Sequence, residues 1–164
     1  MIEKKKKGML VAAGILWLGI GLYLTAFGST LLAAALPQPT PFKMWTHPLL
    51  EMLSATLTIS REEAAALIVA GCILTGTLKA KYVLSRSVKR GITRIAALPQ
   101  PASIFRIYDW KYYLLIAVMM TMGLILRKSG LPTDFRAACY LSIGFALVSA
   151  SKGYFRESLM VRDL

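Results

Sequence analysis

The stretch KAKYVLSRSVKRGITRIAALPQPASIFRIYDWKYY, residues 79–113, is the only long polar interval between the long apolar runs of this chain. It carries eight of the twenty Lys and Arg residues. Lys and Arg near the ends of membrane spans are enriched on the cytoplasmic side, so this stretch decides the predicted topology. We expect it to be cytoplasmic.

The composition on either side of this stretch favours a bilayer as the solvent. The chain has 164 residues, a length typical of one domain, and 56% of them are hydrophobic. A soluble domain has roughly 45–50% apolar residues, spread with the period of helices or strands. Here they are concentrated in long runs, which predicts a single all-α integral membrane domain over residues 1–164.

The apolar runs predict four transmembrane helices, at about 9–36, 64–83, 110–126 and 135–154. The first run follows four lysines at 4–7, which is also how a signal peptide begins. It is about twice as long as the apolar core of a signal peptide, however, and we therefore predict a membrane span.

The distribution of charge predicts the orientation of these spans. With four spans and a cytoplasmic N-terminus, fifteen Lys and Arg residues lie on the cytoplasmic side and five on the other. This is a clear positive-inside bias. We predict a multi-pass protein of the cell (inner) membrane with both termini in the cytoplasm.

A short apolar segment, residues 48–59, separates the first two predicted spans. Leu50, Leu53 and Leu57 recur at the spacing of one helix face, and the segment is too short to cross a bilayer. We predict an extracytoplasmic amphipathic helix lying at the interface or re-entering the membrane. His47, the only histidine, precedes it and is predicted to be a solvated loop residue.

The second span is preceded by a capping-box pattern. Ser60 can cap the helix, and Glu63 can reach back to the backbone of Ser60. The pair Glu62 and Glu63 at the mouth of a transporter, binding a cation or proton, is the alternative interpretation.

A basic amphipathic helix is predicted between spans 2 and 3. Arg86, Arg90 and Arg94 recur every four residues, with Lys89 beside them, and apolar residues occupy another face. We expect this helix to continue the second span and bend along the cytoplasmic surface. Two interpretations stay open for these four residues: a solvated face that only sets topology, or a binding site for anionic lipid head groups or an acidic partner.

Small residues repeat every four positions in the fourth predicted span, at Ala138, Ser142, Ala146 and Ala150. Such a stripe is typical of close packing between membrane helices. The tail, residues 152–164, is short and mixed in charge, and it is predicted to be frayed or interfacial.

The sequence offers little for catalysis. No charged residue or histidine lies in the middle of a predicted span, which disfavours a proton-coupled pump built from this chain alone. Cys72 and Cys139 lie inside apolar runs without a CxxC spacing, as small buried hydrophobes do. We predict no catalytic, cofactor-binding or metal-binding residue, no cofactor, and no nucleic-acid partner despite the net charge of +12.

These observations favour a small accessory or scaffold subunit that acts through helix association. Its partners would be anionic membrane lipids on the cytoplasmic side, and further copies of itself or a larger membrane complex. One alternative is a transporter or channel formed by oligomerisation, with a path lined by Thr75, Thr121, Ser142 and Ser149. The second is an interfacial lipid-modifying enzyme that holds phosphate with the arginine cluster, although an enzyme is disfavoured.

Overall fold

The fold is built from helices throughout the part of the chain that is described. A computed structural model describes residues 2–36, 47–97, 121, 123, 125, 128 and 130–160. The elements are α1 (Ile2–Ala35), α2 (Pro48–Leu57), α3 (Arg61–Lys79), a π-helical turn (Ala80–Leu84), α4 (Ser85–Ala97) and α5 (Thr133–Met160). The prediction of an all-α fold is confirmed for these residues.

Two of the described helices are long and apolar enough to cross a membrane. They are Lys7–Ala35, with a mean hydropathy of 2.0, and Arg61–Tyr82, with 1.5. Only 28% and 33% of their most apolar segments are buried inside the protein, whereas the core helix of a soluble protein is mostly buried. These helices coincide with the first two predicted spans and indicate a membrane location.

The other two predicted spans do not correspond to these candidate helices. The fourth lies within α5, which is not one of the two helices that meet this test of length and hydropathy. The third, 110–126, lies outside the described residues except for Thr121, Gly123 and Ile125. The number of spans and their orientation therefore stay predictions.

Helix α5 is the centre of the fold. Its most extensive packing is along α1 and then along α3, and it also contacts α2, α4 and the π-helical turn. Because α5 is longer than the predicted span of 135–154, it reaches elements at both ends of the protein. Its last turns do not fray after residue 152, since Tyr154 and Ser158 are buried.

Buried side chains form two clusters, one near each end of α5. The first joins α1, α4 and α5 through Met9, Leu10, Ala13, Trp17, Val88, Leu147, Ala150 and Tyr154. The second joins α1, α2, α3 and α5 through Leu32, Ala35, Leu50, Ala64, Ala65, Ile68, Cys72, Ala137 and Leu141. The start of α1 and the last turns of α5 therefore lie at the same end of the protein as α4.

Glycines let the backbones of α1 and α5 approach closely. A Cβ atom at Gly144 would lie 2.8 Å from the backbone N of Thr25 and 2.9 Å from the backbone O of Gly21. A Cβ at Gly76 of α3 would lie 2.8 Å from the backbone O of Ser142. Real Cβ atoms do not approach backbone atoms this closely, so larger residues would force the helices apart.

The predicted small-residue stripe of α5 packs inside the chain. Cys72 Sγ donates to the backbone O of Ala138 at 3.4 Å, and a Cβ at Gly76 would lie 3.1 Å from the backbone N of Ala146. Ala150 is buried in the first cluster, and Ser142 also faces α3. The stripe thus serves the contact of α5 with α3 and α4, and its use between chains stays a prediction.

The predicted short helix between the first two spans is present as α2, and it is anchored by a buried carboxylate. Asp134, from the first turn of α5, is fully buried and accepts hydrogen bonds from Leu49 N at 2.7 Å and Leu50 N at 3.2 Å. The prediction that His47 is solvated is wrong, because this anchoring buries the start of α2 and leaves His47 only 7% exposed.

The predicted capping box is confirmed. The backbone N–H of Glu63 donates to Ser60 Oγ at 3.3 Å, and the backbone N–H of Ser60 donates to Glu63 Oε2 at 2.9 Å. The neighbouring Arg61 forms an ion pair with Glu51 of α2. The carboxylate of Glu63 is therefore engaged in starting α3.

Substituting Gly144 with Ala should destabilise the protein by about 1–3 kcal/mol, because the added methyl group meets the backbone of α1. The matched control is Gly71→Ala, in the middle of α3, where a Cβ meets nothing within 4 Å. Thermal unfolding of the purified variants in detergent measures the difference. Equal stability of the two variants would contradict the close approach of α1 and α5.

Candidate functional site

A cavity of about 450 Å³ opens between the π-helical turn, α4 and α5. Small-molecule sites in proteins have volumes of about 300–1,000 Å³, so it is large enough for a head group or a metabolite. Three cationic side chains line it: Lys81, Lys89 and Arg156. One carboxylate, Glu157, lines it as well, so the cavity is net positive.

The rest of the cavity wall is partly polar and partly apolar. The hydroxyl groups come from Thr77, Ser85 and Ser149. The apolar wall is formed by Ala80, Val88, Ile92 and Ala150. Long Lys and Arg side chains lie with their methylene stems on such apolar surface while their charged ends reach polar groups.

The π-helical turn explains why the two lysines share the cavity. A π bulge inserts one extra residue into an α-helix, and the backbone N–H of Ser85 accordingly donates to Ala80 O, five residues earlier. Lys81 and Lys89 are eight residues apart in sequence, but after one inserted residue they behave as if about seven apart. Seven residues are almost two full turns, which accounts for both residues lining the cavity.

The opposite wall follows one face of α5. Ser149, Gly153 and Arg156 recur at the spacing of a single helix face. A Cβ at Gly153 would lie 2.9 Å from Val88 Cγ1, so glycine allows α4 to pack directly on α5. Trp17 holds this region from the side of α1, with its ring centroid 6.0 Å from that of the buried Tyr154.

The charged groups of the cavity are not neutralised by one another. Among the described residues, Arg61 and Glu51 form an ion pair, and this pair lies far from the cavity. Glu157 is half-buried, yet none of the three cations of the cavity lies within 4 Å of it. The cavity therefore presents separated positive and negative groups to solvent or to a ligand.

The cavity lies at the level where both candidate spans end. Lys81 and Tyr82 are the last residues of the segment Arg61–Tyr82. The segment Lys7–Ala35 starts two residues before Met9, which belongs to the same buried cluster as Val88. Basic and aromatic residues at the end of a span are typical of the lipid head-group region.

The structure separates the four basic residues predicted to bind lipid or a partner. All four lie in α4, and Lys89 lines the cavity. Arg86 and Arg90 are exposed and do not line the cavity, and the side chain of Arg94 lies outside the described residues.

Sequence reasoning missed the other charged residues of the cavity. Lys81 was hidden because a uniform α-helix places it on a different face from Lys89. Arg156 and Glu157 belong to the tail that is predicted to be frayed or interfacial, although the spacing of Ser149, Gly153 and Arg156 continues the helical pattern. That continued spacing is the signal by which these two residues could have been assigned to the helix.

The hydroxyl groups proposed to line a transport path are partly engaged with one another. Thr75 Oγ1 lies 3.3 Å from Ser142 Oγ and donates to Gly71 O at 2.9 Å. Ser149 instead lines the cavity, and the residues next to Thr121 in sequence lie outside the described part of the chain. This arrangement brings Thr75 and Ser142 together as a contact between α3 and α5.

A second polar cluster lies at the other end of α5. Beside Asp134, the buried atoms His47 Nδ1 and Arg136 Nε have no hydrogen-bond partner within the described part of the chain. The described part of the chain contains no group of three or more His, Cys, Asp and Glu side chains that could hold a metal ion. The role that the contacts show for this cluster is to fix α2 on α5.

Comparisons of the chain with protein-family models, with curated proteins and with solved structures find no match.

Replacing Asp134 with Ala should release the first turn of α2, because Leu49 N–H and Leu50 N–H lose their acceptor in a buried place. Leaving buried donors unpaired costs about 1–3 kcal/mol. Hydrogen–deuterium exchange of residues 48–57 measures the effect as a loss of protection. Glu62→Ala, an exposed first-turn carboxylate of α3, is the control, and unchanged protection in Asp134→Ala would refute the anchoring role.

Proposed function

We propose that this protein is a small multi-pass membrane subunit, accessory or scaffolding in role, that binds anionic lipid head groups or an acidic partner at a basic cytoplasmic surface. The observation that carries the proposal is the cavity at the end of the two candidate spans, with Lys81, Lys89 and Arg156 in its wall. Its position and charge are those expected of a site for phosphate groups at the membrane surface.

The surroundings of the cavity add to its attraction for anions. Arg86 and Arg90 are exposed on the same helix as Lys89 and raise the local positive potential. Lys79 and Lys152 are also exposed at this end. Basic clusters next to a membrane span attract anionic lipids by about 1 kcal/mol per residue near the surface.

The arrangement of the helices supports the proposed topology. The start of α1, the end of α3 and the end of α5 lie at one end of the protein, together with the basic helix α4. By the positive-inside rule, this end faces the cytoplasm. The proposal is therefore a protein of the cell membrane with four spans and both termini in the cytoplasm.

Association with further copies or with a larger complex is the remaining part of the proposal. Because the small-residue stripe of α5 packs within the chain, another surface has to make the contacts between chains. Ile15, Leu22 and Tyr23 of α1 are 57%, 55% and 69% exposed and supply a large apolar face. In a bilayer such a face contacts lipid or a neighbouring helix.

The double variant Lys89→Gln/Arg156→Gln should lose roughly tenfold in enrichment of phosphatidylglycerol over phosphatidylcholine, because two charges of the cavity are removed. Native mass spectrometry of protein released from mixed-lipid nanodiscs measures this enrichment.

The control for this variant is Arg86→Gln/Arg90→Gln, which removes the same charge from exposed positions of α4 outside the cavity. It should lose much less, because these two side chains do not line the cavity. Equal losses in the two double variants would show that only the net charge matters and that the cavity is not the site.

A further inference from the structure

Glu157 is the feature of the cavity that simple attraction of anions does not explain. It follows Arg156 on α5, and the two side chains leave the helix about 100° apart. The two lysines approach from the π-helical turn and α4 on the other wall. A carboxylate in a site for a purely anionic ligand would repel that ligand, so its presence calls for a cation in the ligand.

The charged side chains of the cavity indicate which charges a ligand would need in order to pair with all of them. Lys81 and Lys89 line the cavity from the π-helical turn and α4, and Arg156 lines it from α5. The ammonium group of Lys81 lies 5.9 Å from the ring centroid of the exposed Tyr82, so it has to turn to reach a ligand in the cavity. Glu157 offers a carboxylate that none of the three cations pairs with inside the described structure. A ligand with a phosphate group and, a few bonds away, a group that donates hydrogen bonds and is positively charged would pair with all of them.

Resting on the proposed lipid-binding function, we infer that the cavity selects a phospholipid whose head group carries a primary ammonium beside its phosphodiester. The phosphodiester pairs with Lys81, Lys89 and Arg156, and the ammonium donates to the carboxylate of Glu157. Ser149 and Thr77 provide hydroxyl groups between the two charged ends.

The path for the acyl chains begins at the same wall. Thr77 lines the cavity, and the adjacent residues Leu74 and Leu78 of α3 are 61% and 46% exposed. Both lie within the candidate span Arg61–Tyr82. A lipid with its head group in the cavity therefore has an apolar helix surface beside which its chains can run into the bilayer.

The head groups of common phospholipids are distinguished by this chemistry. Ethanolamine and serine head groups both carry a primary ammonium that donates hydrogen bonds. A glycerol head group has no cation for Glu157, and a choline head group has a cation without an N–H donor. An N-acetylated ethanolamine head group keeps the phosphodiester but loses the positive charge, so it has the net charge of a glycerol head group and no cation for Glu157.

The test is competition between lipids for the full-length protein in nanodiscs, read by native mass spectrometry. Nanodiscs contain equal amounts of phosphatidylethanolamine, phosphatidylglycerol and phosphatidylcholine. The wild-type protein should retain phosphatidylethanolamine above phosphatidylglycerol. Glu157→Gln should lower that ratio by roughly three- to tenfold, the effect of one charge-assisted hydrogen bond partly screened by solvent.

Glu62→Gln is the matched control, since it removes one exposed carboxylate from the start of α3 and changes the net charge equally. It should leave the ratio unchanged. Replacing phosphatidylethanolamine with its N-acetylated form, which matches phosphatidylglycerol in net charge, should abolish the preference over phosphatidylglycerol in the wild-type protein. A parallel series with phosphatidylserine tells which of the two ammonium lipids is retained more strongly, and retention of either above phosphatidylglycerol supports the inference.

Two results overturn different statements. If the wild-type protein retains phosphatidylglycerol at least as well as both ammonium lipids, or if Glu157→Gln and Glu62→Gln shift the ratio equally, the role of Glu157 is refuted while the basic site stands. If no lipid is retained above phosphatidylcholine in the wild-type protein, the proposed lipid-binding function itself is refuted.

Discussion

The close backbone approach of α1 and α5 at Gly21 and Gly144 is the contact on which the other positions in this protein depend. A bilayer provides no hydrophobic force between helices, so packing distance and interhelical hydrogen bonds have to hold them together. Once α5 is fixed along α1, its neighbouring face receives α3 through the equally close approach at Gly76. The buried carboxylate of Asp134 then ties α2 to the start of α5.

The same contact produces the cavity at the other end. With α5 held along α1, Tyr154 packs on Trp17, and the helix continues past the predicted end of its span to Met160. That extension gives α4 a surface to pack on, and Gly153 allows Val88 to approach it. The cavity is the space left between this contact and the π-helical turn, so its charged walls come from segments that are distant in sequence.

How far the sequence predicts this structure depends on the range of the interactions involved. Long apolar runs predicted α1 and α3, and the local pattern of Ser60 and Glu63 predicted the start of α3. The burial of His47 could not be predicted, because it depends on hydrogen bonds from α2 to a carboxylate 85 residues away. The four residues predicted to form a basic site lie on one helix, as predicted. Which basic side chains line the cavity was not predicted. A single inserted residue changes which side chains share a face, and nothing in the local sequence announces it.

The π-helical turn links the energetics of the fold to the chemistry of the cavity. Its hydrogen bonds are less favourable than those of an α-helix, and such turns are frequent at functional sites. Here the inserted residue aligns Lys81 with Lys89, while Ser85 uses its hydroxyl to donate to Lys81 O. A uniform helix would turn the two lysine side chains about 80° apart. The less favourable backbone geometry therefore has a definite result, which is that Lys81 and Lys89 line one cavity together with a carboxylate that none of its three cations pairs with.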